Sequence, residues 1–185
     1  LKTVILGIAN DIGEPPNIFD AYDPRSLYHA KNNSFPNETD LVKNVEKFHN
    51  KLLKHNVEIL RPENIPNCNQ IFTRDLGFVI SNIFFISNIV PARQDEIQGI
   101  ENIIKNLDVG VIKLPEFMHI EGGDVVLHNG KLFIGTYLDA NYSSLITART
   151  NIESIEYLKK MLPNIEIIPI EIKKSNTNIF ENTLH

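Results

Sequence analysis

One arrangement of apolar residues occurs twice in this chain, and it restricts the fold more than any other feature. Arg74-Asp75-Leu76-Gly77 leads into Phe78-Val79-Ile80, a turn at Ser81-Asn82 and a second apolar run at Ile83-Phe84-Phe85-Ile86. Ile97, Ile100, Ile104 and Leu107 follow at helical spacing, and a strand pattern covers residues 109–114. About 47 residues on, from position 78 to position 125, the pattern returns. Glu121-Gly122-Gly123-Asp124 leads into Val125-Val126-Leu127, a turn at His128-Asn129-Gly130 and a strand from Lys131 to Ile134. Ile152, Ile155, Leu158 and Leu162 mark a helix, and residues 165–172 a closing strand. Alternating runs around an Asn-Gly turn predict a hairpin. Each unit therefore reads strand, strand, helix, strand, with a turn one residue longer in the later copy. Repetition at this period is the mark of a repetitive architecture.

The remaining chain fits a weaker first copy. Residues 3–8 predict a strand. Residues 10–36, rich in Pro, Asn and Asp, predict a long loop of the kind used as a functional flap. Leu41, Val45, Phe48 and Leu52 place a helix over 37–54, and 57–60 a strand, with a hairpin less clear than in the other two copies. Thr150 and Glu153 have the spacing of a capping box for the third helix. After a polar loop at 173–178, residues 179–185 read as the opening of a fourth unit. The expectation is a single α/β domain over 1–185, three repeats plus the start of a fourth, taken from a longer chain.

Composition excludes several classes. With 185 residues, 42% hydrophobic, the chain is long enough for a sizeable core. A net charge of −5 without a basic stripe argues against nucleic acid as a partner and suits a small cation. No apolar run approaches the roughly 20 residues of a membrane span. The first residues lack the basic region and cleavage site of a signal peptide. A single cysteine, Cys68, forms no internal disulfide. These features predict a cytoplasmic protein. His, Cys and acids at metal-ligand spacing are absent, and no cofactor is implied.

Four blocks carry a resemblance. Residues 69–75, Asn-Gln-Ile-Phe-Thr-Arg-Asp, then Pro91-Ala92-Arg93, Glu121-Gly122-Gly123-Asp124 and Leu184-His185 resemble the guanidine-modifying, or pentein, superfamily. That superfamily includes arginine deiminases, dimethylarginine dimethylaminohydrolases and amidinotransferases. The resemblance covers nearly the whole chain. It implies an α/β propeller of strand-strand-helix-strand units, incomplete in this chain, with acids of successive blades facing the axis.

Guanidinium chemistry explains the acids. The group is planar, permanently charged and forked, so carboxylates hold it bidentately. Its carbon is a weak electrophile, and the superfamily attacks it with a cysteine thiolate while a histidine protonates the leaving amine. The resemblance implies that Asp75 grips the guanidinium and that Glu121 orients His185, the general acid/base. Asn69, Phe72 and Arg93 would line the pocket and hold the amino-acid end of the substrate, and Asp124 would also bind substrate. No nucleophile matches within the chain, so it is expected beyond residue 185, and Cys68 reads as unreactive. Residues 136–141 lack the second carboxylate-binding arginine of arginine deiminases, which puts free arginine in doubt. Asp139 there hints at an amine-bearing substrate tail.

Read without the resemblance, Asp75 is a surface partner of Arg74 or a turn-capping aspartate, and Glu121 and Asp124 cap a hairpin. Arg93 snorkels over the sheet, and His119 is a structural histidine or supports a residue of the site. The function expected is modification of a guanidino group, by an amidinotransferase or an amidinohydrolase, through a covalent cysteine intermediate. The alternative is a non-catalytic binding protein on the same propeller. Hydrolase or transferase, the substrate and homo-oligomer formation are left open.

Overall fold

The computed structural model describes residues 2–21 and 23–183. His185 and Leu184 lie outside the described residues, so the expected general acid/base is not placed.

Three small sheets follow one another along the chain. The first joins β1 (Thr3–Ile5) and β2 (Glu58–Leu60) in parallel. Between them lie α1 (Pro24–Asn32) and α2 (Glu38–Leu53). The second sheet has the order β3 (Gly77–Ile80), β4 (Ile83–Ile86), β5 (Gly110–Lys113). The third is β6 (Val125–His128), β7 (Lys131–Thr136), β8 (Glu166–Glu171). In each three-stranded sheet an antiparallel hairpin is extended by a parallel third strand. Helix α3 (Glu101–Asn106) makes the crossover in the second unit and α4 (Ile152–Met161) in the third.

Alternation along β4 shows how the sheets stack. Successive strand residues point to opposite faces. Phe85 therefore joins the cluster built with Ile120, Leu132 and Leu158 of the third unit. Phe84 turns the other way, into a cluster with Leu76, Ile100 and Ile104 that Ile5 of the first unit packs against. The second sheet is covered on both faces, which is why Ile83 to Ile86 is a continuous apolar run instead of an alternating one.

Several sequence expectations change. Among the described residues the first unit shows strand, two helices and strand, without a hairpin. The 10–36 loop contains α1, because Asp23 accepts from the N–H groups of Arg25 and Ser26 and Pro24 sets the first turn. The second-unit helix is mostly a 3₁₀ segment, Pro91–Ile100, and only its end is α-helical. Both hairpins have the same two-residue turn, since His128 is the last residue of β6 and Asn129-Gly130 closes it with φ of 48° and 73°. Asn151, not Thr150, caps α4. Residues 179–181 form a short 3₁₀ segment, Ile179–Glu181. No described helix is long and apolar enough to cross a membrane.

Candidate active site

Two 3₁₀ segments, Thr73–Leu76 and Gly122–Asp124, each sit just before a hairpin and pack against one another. Gly122 makes the contact possible. A Cβ there would collide with the carbonyl oxygens of Arg74 and Gly77. With only hydrogen on Gly122 the two backbones close up, and their acids meet.

Asp75 and Glu121 are 2% and 1% exposed. They converge on Arg93. Its Nη1 lies 2.8 Å from Asp75 Oδ2 and 3.7 Å from Glu121 Oε2. The two acid oxygens are thus no further apart than those distances together. Glu96 holds the other side of the guanidinium, accepting from Nε at 2.6 Å and Nη2 at 2.8 Å. The Phe72 carbonyl accepts from Nη2 at 3.4 Å, and the Phe72 ring centroid lies 6.0 Å from the guanidinium carbon. Burial would pull the Arg93 pKa down, but the bonds and charges of Glu96, Asp75 and Glu121 outweigh it and push the pKa up. Burial raises the Glu96 carboxyl above its usual range, and its bonds to Arg93 restrain that rise. Arg74 donates from Nε to the second Asp75 oxygen at 3.1 Å, with its side chain largely exposed.

The third unit adds a second cluster. Arg149, 5% exposed, places Nη1 3.7 Å from Glu121 Oε1. Its Nε and Nη1 make no hydrogen bond among the described residues. Asp124, also buried, accepts from the Thr150 hydroxyl at 2.6 Å. Burial lowers the Lys174 pKa to about 8, with Arg149 acting the same way and Asp124 and Glu121 against it. Burial and the Glu121 charge raise the Tyr142 phenol, which stays protonated.

The structure thus brings together Asp75, Phe72, Arg93 and Glu121, and places Asp124 in the neighbouring cluster with Thr150. Asn69 is exposed, and its side-chain oxygen accepts from the Ile71 N–H of its own turn. The His119 ring lies against Tyr142 at 5.9 Å. Burial and the charges of Glu96 and Asp95 push the Cys68 thiol up, away from the thiolate form. Sequence reasoning passed over Glu96 and Arg149. The Arg93–Glu96 spacing was a visible signal for the first. No local pattern marked the second, which follows the 136–141 stretch and reaches Glu121 through the fold.

Solved structures share this architecture. Dimethylarginine dimethylaminohydrolase from Pseudomonas aeruginosa, a cysteine-to-serine variant complexed with citrulline, superposes with a TM-score of 0.68 over 95% of this chain and 63% of its own, at 16% identity. Inosamine-phosphate amidinotransferase from Streptomyces griseus gives 0.70 over 97% and 62%, at 11% identity. The chain has the pentein fold. The N-terminal domain of the cyanobacterial arginine dihydrolase ArgZ, bound to substrate, agrees as well, with a TM-score of 0.70 over 92% of this chain and 58% of that one, at 16% identity. In sequence, the chain is 31% identical over 144 residues to an uncharacterized Bacillus subtilis (strain 168) protein, YkgA, covering 75% of this chain. No family model matches the chain. The chain spans 46% of the length of YkgA and 63% of the length of the Pseudomonas pentein enzyme.

Proposed function

We propose that the full-length protein modifies the guanidino group of a small cationic substrate, as an amidinohydrolase or an amidinotransferase. One observation carries this reading. Two nearly inaccessible carboxylates from successive repeats, Asp75 and Glu121, meet around a single guanidinium nitrogen. That nitrogen belongs to Arg93, which stands where a substrate guanidinium would be gripped. Pentein-fold relatives that act on guanidines and their products support the same reading.

In this proposal a cysteine thiolate, supplied by the part of the protein outside these 185 residues, attacks the guanidinium carbon. The carbon–nitrogen bond to the leaving amine breaks, and His185 hands that amine a proton. Water or a second amine then attacks the amidino-thioether and restores the thiolate. Asp75 and Glu121 hold the charge of the group throughout, and Glu121 also orients His185. Arg149 changes the expectation for the substrate tail. A buried guanidinium whose Nε and Nη1 make no hydrogen bond among the described residues suits an anion, which favours a carboxylate tail over the amine-bearing tail that the exposed Asp139 suggests.

The test is turnover of arginine, agmatine, methylated arginines and guanidinoacetate by the full-length protein, each with and without an amine acceptor. Carboxylate-bearing guanidines should exceed agmatine in kcat/KM by about 10- to 150-fold, the worth of one charge-assisted hydrogen bond. Absence of both turnover and binding across the panel would overturn the proposal. Binding without turnover would favour the non-catalytic alternative on the same fold.

A further inference from the structure

The polar loop after β8 is fastened by a set of bonds that the chemistry above does not use. Asn176 joins it to the loop before α4, accepting from the Ile146 N–H at 2.9 Å and donating to the Ser144 carbonyl at 2.7 Å. Within it, the Ser175 hydroxyl accepts from the N–H groups of Thr177 and Asn178. Asn178 caps the 3₁₀ segment that follows. The two ends of the loop then meet. The Thr183 N–H donates to the Lys173 carbonyl at 2.9 Å, and Lys174 Nζ donates to the Thr183 carbonyl at 2.7 Å. Two adjacent residues thus hold both backbone polar groups of Thr183. Lys174 is half-buried, and the charged groups facing it are Asp124, Glu121 and Arg149.

We propose that Lys174 is a positioning residue of this site: its ammonium clamps the Thr183 carbonyl, two residues before His185 in the sequence, and so restrains the chain at that point. The proposal rests on the guanidino reading above and deepens it. Burial brings the Lys174 pKa from the ordinary lysine range down to about 8. Its ammonium is present below that pH and lost above it. The clamp weakens as pH rises through about 8, and kcat falls with it.

The full-length protein tests this with Lys174→Met and Lys174→Arg. Amide hydrogen exchange, read on the peptide spanning Thr183, should speed up in Lys174→Met while exchange in β7 stays unchanged. Lys174→Arg, which keeps a charge, should restore protection. On a carboxylate-bearing guanidine, Lys174→Met should lower kcat by about 10-fold or more with KM unchanged. Lys174→Arg should extend the active range beyond pH 8. Exchange at Thr183 that is the same in Lys174→Met and wild type would overturn the clamp. A wild-type kcat and alkaline limb in Lys174→Met would overturn its role in the chemistry. A wild-type protein that transforms no guanidine would sink the functional reading instead, and the exchange comparison alone would then decide the clamp.

Discussion

Arg93 is the residue on which the buried charges of this site depend. Its side chain bonds Asp75 and Glu96 at hydrogen-bond distance and lies 3.7 Å from Glu121. Removing one partner from a buried ion pair leaves the others uncompensated, which costs about 3–5 kcal/mol. Arg93→Met should therefore destabilise the protein by that amount in denaturant unfolding. Arg74→Ala removes an exposed partner of the same aspartate and should cost less than about 1 kcal/mol. Equal losses would show that the Arg93 network contributes nothing special. Asp75 and Glu121 were legible because an acid beside a glycine, just ahead of a hairpin, recurs in the sequence. Glu96, Arg149 and Lys174 were not. A charged residue is remarkable only when it is buried, and local sequence does not say which charges the fold will cover.

Helix boundaries were the least legible elements. For α4 the pattern of Ile152, Ile155 and Leu158 gave the right face, but the expected cap was displaced by one residue. Thr150 spends its hydroxyl on Asp124, 26 residues away in sequence. Asn151 takes the cap, accepting from the Ser154 N–H at 3.2 Å and the Ser154 hydroxyl at 2.6 Å. It also accepts from the His119 N–H and donates to the Phe117 carbonyl. Asn151→Ala should cost more than a simple cap, about 1–3 kcal/mol by thermal unfolding. Glu153→Ala, the other half of the expected box, should stay within about 0.5 kcal/mol. A larger loss at Glu153 than at Asn151 would reverse the assignment. The second-unit helix failed for a related reason. Gly99 lies inside it, so close to Gln70 and the Glu63 carbonyl that a Cβ would not fit. Tight packing against the preceding loop thus prevails over the helical spacing of its isoleucines.

At the scale of the whole molecule, stability is concentrated between the second and third units. Leu158 is fully buried in their shared cluster, whereas α2 of the first unit buries no residue completely and leaves Phe48 55% exposed. Leu158→Ala should cost about 2–5 kcal/mol, the loss of transfer energy plus a cavity. Phe48→Ala should cost less than about 1 kcal/mol in the same denaturation series. Comparable losses would mean that the first unit contributes as much to folding as the other two.

The repeat unit, its hairpins and the acid at the head of each were determined by the sequence itself. Strand alternation and turn chemistry act over a few residues, so they are written locally. How the units meet was decided only in three dimensions. A backbone contact through Gly122 sets two carboxylates around one guanidinium nitrogen, and loops far apart in sequence deliver Arg149 and Lys174 beside them. Burial turns these ordinary side chains into a strongly coupled site. Burial comes from the packing of one unit on the next, which no local pattern of residues encodes.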